Sequence, residues 1–361
     1  MKGARAVRKV LIVLLLMLLP CAARAEAAYD WDLIPGYAML NDTQRTLFGA
    51  AYAAALRGET GVPVPDHMAY DEATEAMDLL IAECPELCAL DDCYRITYAR
   101  SQPEVAEWVE LTYARPLETQ TILLNAAKTM AAQAEGSAWE RELILHDMLC
   151  NAATYDLNAP SQSTAYGALV DGRAGCSGYA RALTLLCRLA GIPCQTVSGT
   201  AKTGGTEERH TWCVLYIGGA FTQTDPTWND QDRAGVITHW YFNLTDAQMT
   251  ADHSPDADTL ALPCTDDSLS WHARSGRVVP AEAEEARRVI DRALEGMARE
   301  GEAVNLRFED GVAVENFVKQ TQAYIADYNQ THPQVQYDGS FRLMYSEEQG
   351  CVLLLEMEKT P

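Results

Sequence analysis

At Gly191 the hydrophobic period of the chain changes, and that change decides what it can fold into. Residues 138–152 carry Ile144, Leu145, Met148, Leu149 and Ala152 on one helical stripe. Residues 176–190 read as a second helix, closed by Gly191 and Pro193, because glycine accepts the left-handed turn that ends a helix and proline cannot continue one. Beyond Pro193 the pattern alternates, and 195–199 and 211–217 read as strands. Gly218-Gly219 then separates Ile217 from a further strand at 220–224, which is a hairpin signal. Helices followed by antiparallel hairpins give an α+β class. The polar, glycine-containing stretch 200–208 reads as a mobile loop.

The 361 residues suffice for about two domains. Acidic residues number 51 against 28 basic ones, a formal charge of −23, and no basic block longer than a pair follows the N-terminus. Binding a phosphate backbone requires a basic face, so nucleic acid is disfavoured as a partner. A hydrophobic content of 48% excludes disorder along the whole chain. At the N-terminus Lys2, Arg5, Arg8 and Lys9 precede an uncharged apolar run over 10–19, and Ala23-Arg24-Ala25 follows. This is the pattern of a secretory signal peptide, with cleavage expected after Ala25. The run is shorter than the ~20 residues of a membrane span. The rival readings are a lipid anchor at Cys21, for which Pro20 is a poor neighbour, and an uncleaved anchor. The mature protein is expected to be secreted or extracytoplasmic, with no stable membrane span.

Residues 26–136 read as a mixed accessory region: helices at 42–57 (Asp42 as cap, Gly58 as stop), 71–83 and 117–134, and strand character at 94–98 and 107–113. The core is expected at 137–256. Pro263, Pro280 and the polar residues between them suggest a linker over 257–280. Residues 281–361 then read as a small αβαββ unit, with helices at 282–299 and 312–328 and strands at 303–308, 334–345 and 350–357. No reactive cluster marks it, so it is expected to be separable and to lie away from any cleft.

Chemistry concentrates between Asp171 and Trp228. Asp171-Gly172-Arg173-Ala174-Gly175-Cys176-Ser177-Gly178-Tyr179 is a glycine-rich loop entering a helix, with Cys176 in its first turn. Unpaired N–H groups and the positive end of the helix dipole favour a thiolate there. The Cys176 N–H can also meet an oxyanion, and Gly175 and Gly178 are read as leaving room for a substrate backbone. If Gly218-Gly219 are the two central turn residues, Asp225 faces Trp212. His210 then lies two residues away on the same face. Such diagonal neighbours are about 7–8 Å apart at the backbone, within reach of an imidazole and a carboxylate. His210 would take the Cys176 proton and Asp225 would fix the imidazole tautomer. Each residue alone has a bland explanation, as a buried helix thiol, a strand-end histidine and a turn residue before Pro226. The coincidence of all three favours a site.

These residues resemble the transglutaminase-like superfamily, whose members share a papain-related fold. The likeness rests on Gly175-Cys176-Ser177-Gly178-Tyr179-Ala180, Ala190-Gly191-Ile192-Pro193, His210-Thr211-Trp212 and Asp225-Pro226-Thr227-Trp228, and runs from Leu143 to about His253. It implies a nucleophile-bearing helix packed on an antiparallel sheet and a Cys-His-Asp order matched by Cys176, His210 and Asp225. It also implies a thiol enzyme that forms an acyl-enzyme on protein or peptide amides. Water would make it a peptidase or amidase, the favoured outcome, and an amine would make it a transglutaminase. A binding protein on the same scaffold is the third alternative. Cys213 departs from the polar residue many relatives have after the tryptophan.

Tyr155 and Tyr166 are candidates for a second oxyanion donor, and Trp212 and Trp228 for a cleft wall, with packing an equal reading for both indoles. His146 reads as structural. His239 and His253 flank Trp240-Tyr241-Phe242, read as a core-facing strand. Neither metal nor cofactor is called for. No calcium-loop pattern occurs, and Cys84, Cys88 and Cys93 lack the paired spacing of a zinc site and are more simply a local bridge. Cys150, Cys187, Cys194 and Cys213 read as small buried hydrophobes.

Overall fold

The computed structural model describes residues 27–99, 102–231, 236–257, 259–300, 303–309, 311–331 and 341–356. The expected signal segment and part of the strand expected at 334–345 fall outside them. The chain forms two compact units. The first comprises the described residues up to Gly199 with Arg209–Gly219 and Pro255–Leu262; the second comprises Thr200–Glu208, Ala220–Ser254 and the described residues from Pro263 onward. Among the described residues no helix is long and apolar enough to cross a membrane.

Helix α1 (Asp42–Arg57) is capped by Asn41, one residue before the expected Asp42, because the Asn41 carboxamide accepts from both Thr43 and Gln44 N–H at 2.9 Å. Gly58 ends it in the left-handed conformation, as expected. Strand β1 (Gly61–Pro63), helix α2 (Tyr70–Glu83) and strands β2 (Leu90–Ala99) and β3 (Gln102–Tyr113) follow, the strands forming an antiparallel sheet of order β1-β3-β2. Helix α3 (Glu118–Ala131) leads to α4 (Ala138–Ala152), which starts where the sequence placed it. The Ser137 hydroxyl accepts from Glu140 N–H, and the Glu140 carboxylate accepts from Ser137 N–H at 2.7 Å. Short strands β4 (Thr154–Tyr155) and β5 (Arg173–Ala174) pair in parallel ahead of helix α5 (Cys176–Leu189). Residues 161–164 cross the start of α5 so closely that a Cβ on Gly178 would fall 2.5 Å from the Gln162 carbonyl oxygen and 3.0 Å from that of Thr164.

Strands β6 (Cys194–Thr203), β7 (Thr206–Ile217) and β8 (Ala220–Thr224) belong to a four-stranded sheet of order β11-β6-β7-β8, where β11 is His253–Pro255. Residues 200–208 are not the expected loop. Gly204 and Gly205 both adopt positive φ (57° and 83°), so the chain reverses in two residues and the strands run on to the turn. Gly218 and Gly219 do the same at 61° and 99°, which is the turn expected there.

Helix α6 (Pro226–Asn229) and the antiparallel pair β9 (Asp230–Gln231) and β10 (Val236–Ile237) come next. The strand expected at 240–242 is instead a turn. His239 and Asn243 take positive φ, and Trp240, Tyr241 and Phe242 are buried within it, so burial of consecutive aromatics reflects a turn sunk into the core. Helix α7 (Asp246–Met249) follows. The stretch expected as a linker contains helix α8 (Trp271–Arg274) and strand β12 (Val278–Val279), which pairs in parallel with β13 (Val304–Phe308). With α9 (Ala283–Glu300), α10 (Gly311–Thr331), β14 (Phe341–Ser346) and β15 (Cys351–Glu356), the C-terminal segment has the expected αβαββ order plus one leading strand. Its sheet runs β12-β13-β15-β14 around Leu294, Leu306, Phe317 and Leu354.

Within the first unit, one buried ion pair ties the end of α2 to α5. The Arg188 guanidinium, with no exposed surface, pairs with the Glu83 carboxylate at the end of α2 and donates to the Tyr29 hydroxyl (3.1 Å) and the Cys194 carbonyl (2.8 Å). Glu83 in turn accepts from Thr196 N–H at 3.1 Å. Burial works against the guanidinium charge, but Tyr29 and Glu83 outweigh it and raise the Arg188 pKa above its ordinary value.

Arg188→Met strands the Glu83 carboxylate and is expected to cost about 3–5 kcal/mol in urea denaturation, whereas Arg188→Met with Glu83→Leu recovers most of that loss. A single variant within about 1 kcal/mol of wild type would contradict this assignment. Gly178→Ala, normally favourable in a helix, is expected to destabilise by about 1–3 kcal/mol because the obstructing atoms are backbone; an unchanged melting temperature would refute the close crossing.

Candidate active site

Cys176 is the first residue of α5. Gly175 precedes it in extended conformation, and no side chain caps the helix. The partly exposed thiol therefore sits at the positive end of the α5 dipole. Ser177 and Thr211 share a hydrogen bond between hydroxyls (3.1 Å), and one helical turn on Cys213 Sγ donates to the Ala180 carbonyl at 3.3 Å. These two contacts lay α5 along β7 so that the residues next to Cys176 and next to His210 touch. His210 is 7% exposed, and its ring stacks on Trp212, two residues along the same face, with centroids 6.2 Å apart. Trp212 itself is fully buried.

The glycines around Cys176 do not leave the space expected for a substrate backbone. A Cβ at Gly175 would meet Gln162 Oε1 at 2.5 Å and Leu157 Cδ2 at 2.8 Å, and the Gly178 position is filled by the crossing described above. The room they create is taken by residues 157–164 of the same chain. Tyr155 pairs with Ala174, two residues before Cys176, and is 45% exposed; Leu157 beside it is 59% exposed. Tyr166 is half-buried at the entry to a π-helical turn over Gly167–Asp171. Gln162 has an amide side chain next to Gly175, and sequence reasoning missed it because nothing in its local pattern singles it out.

Cys176 and His210 lie in the first unit, and Asp225 lies in the second. Asp225 is one residue past β8, where it caps α6 and is fully buried. Its Oδ1 accepts from Thr227 N–H (2.8 Å) and Trp228 N–H (3.3 Å), and its own N–H donates to the Tyr241 carbonyl (2.9 Å). Its Oδ2 lies 3.3 Å from His253 Nε2, and His253 Nδ1 lies 2.6 Å from Asp252 Oδ1. Burial disfavours a charged His253, but the hydrogen bonds and charges of Asp225 and Asp252 outweigh it and raise the His253 pKa. Trp228 packs edge-on against His253, with centroids 4.5 Å apart. The sequence reading passed over His253. Its only visible signal was the Asp252-His253 pair, and its partner is 28 residues away.

The remaining candidates are accounted for by packing. His146 is fully buried with Nδ1 at 2.8 Å from Asp147. His239 stacks on Trp271 at 4.8 Å. Cys84, Cys88, Cys150, Cys187, Cys194 and Cys213 are buried and Cys93 is exposed. Burial pushes the Cys84, Cys88 and Cys351 thiols up, away from ionisation.

The model of the transglutaminase-like superfamily matches residues 125–226, a stretch that contains Cys176, His210 and Asp225. The chain is 28% identical over 137 residues to the Kyphoscoliosis peptidase of Homo sapiens, covering 32% of this chain and 21% of that protein. It is 27% identical over 153 residues to the Kyphoscoliosis peptidase of Mus musculus, covering 37% and 23%. The match thus spans about a fifth of the length of these curated relatives. Among solved structures, the periplasmic domain of TgpA from Pseudomonas aeruginosa is similar at 17% identity with a TM-score of 0.24, over 37% of this chain and 62% of that one. The likeness of this chain to the transglutaminase-like superfamily thus rests on residues 125–226.

Proposed function

We propose that the protein is a thiol-dependent acyl-transfer enzyme acting on protein or peptide amide bonds through Cys176, His210 and Asp225. The observation that carries this reading is the seating of an uncapped, cysteine-led helix start against the strand of a buried histidine, through the Ser177–Thr211 contact. His210 takes the thiol proton as the sulfur attacks the amide carbonyl carbon. The oxyanion that forms meets the Cys176 N–H, with the Gln162 amide, Tyr155 and Tyr166 as candidate second donors. His210 then protonates the departing amine, leaving a thioester on Cys176. Asp225 holds the imidazole in the tautomer that accepts from sulfur and stabilises its charged form.

Hydrolysis of that thioester by water is the favoured outcome, a preference that comes from the family resemblance; attack by an amine would give a transglutaminase. The chemistry calls for neither metal nor cofactor. Exposed Tyr155 and Leu157 form an apolar lip beside the nucleophile, which supports substrates with apolar side chains near the scissile bond. The pattern over residues 1–25 supports an extracytoplasmic place of work.

Incubation with a peptide library and a primary amine, followed by mass spectrometry, tests the reading. Cleaved products enriched in apolar residues are expected, and Cys176→Ala abolishes them. Amine-linked products would reassign the acceptor from water to amine, and no reaction of either kind would favour a binding protein. Brief iodoacetamide treatment at neutral pH is expected to label Cys176 before any other cysteine, since an ordinary thiol near pKa ~8.5 is only a few per cent ionised there. His210→Ala is expected to slow that labelling about tenfold without unfolding the protein. Dominant labelling at another cysteine would make Cys176 a structural residue.

A further inference from the structure

We propose that His253 is a positioning residue for the triad acid, bridging Asp225 to Asp252, and that the C-terminal segment supports this bridge through Gln349. The proposal rests on the acyl-transfer reading above and assigns a role to residues outside the stretch matched by the family model.

All the groups concerned belong to the second unit. Asp225 has two oxygens with separate holders: N–H groups of α6 grip Oδ1, and His253 Nε2 faces Oδ2 at 3.3 Å. The other ring nitrogen of His253 faces Asp252 Oδ1 at 2.6 Å. A neutral imidazole has one N–H, so it would turn a lone pair towards one of the two carboxylates. Only the imidazolium donates to both. The raised His253 pKa agrees with that geometry. The Trp228 and Tyr241 rings pack against His253 at 4.5 and 5.4 Å between centroids, the carboxylates on its two nitrogens are those of Asp225 and Asp252, and a ring nitrogen of the titratable His210 lies within 4.8 Å of it.

Asp252 is itself held. Its Oδ2 accepts from the Tyr241 hydroxyl at 2.7 Å and from Gln349 Nε2 at 3.1 Å. Gln349 lies in the turn between β14 and β15, where its N–H donates to Ser346 Oγ. His253, Asp225, Asp252, Tyr241 and Gln349 are all buried. The chain Gln349–Asp252–His253–Asp225 therefore connects a turn of the C-terminal sheet to the orienting acid. A segment expected to be separable supplies the last link. The bridge fixes the carboxylate plane before substrate arrives and takes up part of its charge.

Two consequences separate position from charge, and full-length variants read both. His253→Ala is expected to lower kcat about 10–100-fold on the best library peptide while KM changes less than about threefold, since the acid loses its orientation rather than the substrate its contacts. The alkaline limb of the kcat/KM profile, which reports loss of the His210 proton, moves to higher pH because Asp225 regains full charge. His253→Gln supplies a neutral N–H to Oδ2, so it restores most of kcat but keeps the shifted limb. Gln349→Ala lowers kcat by several-fold. Wild-type kcat and pH profile in folded His253→Ala would overturn the proposal, as would equal impairment in the Ala and Gln variants. If His253→Ala does not fold, a His253→Gln profile superimposing on wild type overturns it. Wild-type turnover by Cys176→Ala or His210→Ala is a distinct result, and it would overturn the acyl-transfer reading itself.

Discussion

The fully buried guanidinium of Arg188 organises the first unit. It sits on the last turn of the helix that begins with Cys176, and it reaches the end of α2, the Tyr29 hydroxyl and the first residue of β6 at once. An arginine with no solvent contact survives only where its donors are met, and here a carboxylate, a phenol and backbone carbonyls meet them. The N-terminal region therefore does more than cover the core. Through Glu83, which also accepts from Thr196 N–H, it fixes the far end of α5 relative to the strand that leads into the hairpin.

A helix clamped at its C-terminal end can be left bare at its N-terminal end. Gly191, in the left-handed conformation, closes α5, and its N–H donates to the Arg188 carbonyl at 2.9 Å. At the other end Gly175 offers no side chain to cap the helix, and its carbonyl accepts from Gly178 and Tyr179 N–H at 3.0 and 3.1 Å. The same division of labour holds at Asp225. Its cap on α6 and its contact with His253 are structural hydrogen bonds, and they hold in place a carboxylate whose proposed work is to orient an imidazole. Rigid support of this kind is what a reactive constellation needs to stay in geometry.

Local periodicity made much of this legible in advance. The start of α4 at Ala138, the run of α5 from Cys176, the glycine stop at Gly191 and the turn at Gly218-Gly219 all follow from chemistry within a few residues of each other. The three proposed site residues were picked out by the same local signals, and they lie at a helix start, within a strand and one residue past a strand end. Where the reading failed, distance or consecutive burial was the cause. Trp240-Tyr241-Phe242 was read as a core-facing strand, but the left-handed His239 and Asn243 flanking it make it a buried turn. Residues 200–208 looked mobile because they are polar, yet Gly204-Gly205 makes them a hairpin tip. Arg188 with Glu83, and His253 with Asp225, are pairs 105 and 28 residues apart, and no local pattern announces them.

The central claim is that the acyl group passes through Cys176, and an acid-quenched reaction tests it most directly. Wild-type protein is mixed with the cleavable peptide, quenched during turnover and mapped by tandem mass spectrometry, with hydroxylamine treatment of a parallel sample. The account predicts a single acyl adduct on Cys176 that hydroxylamine removes, as a thioester requires. An adduct on any other residue, or turnover with no thioester on Cys176 at any quench time, would contradict it.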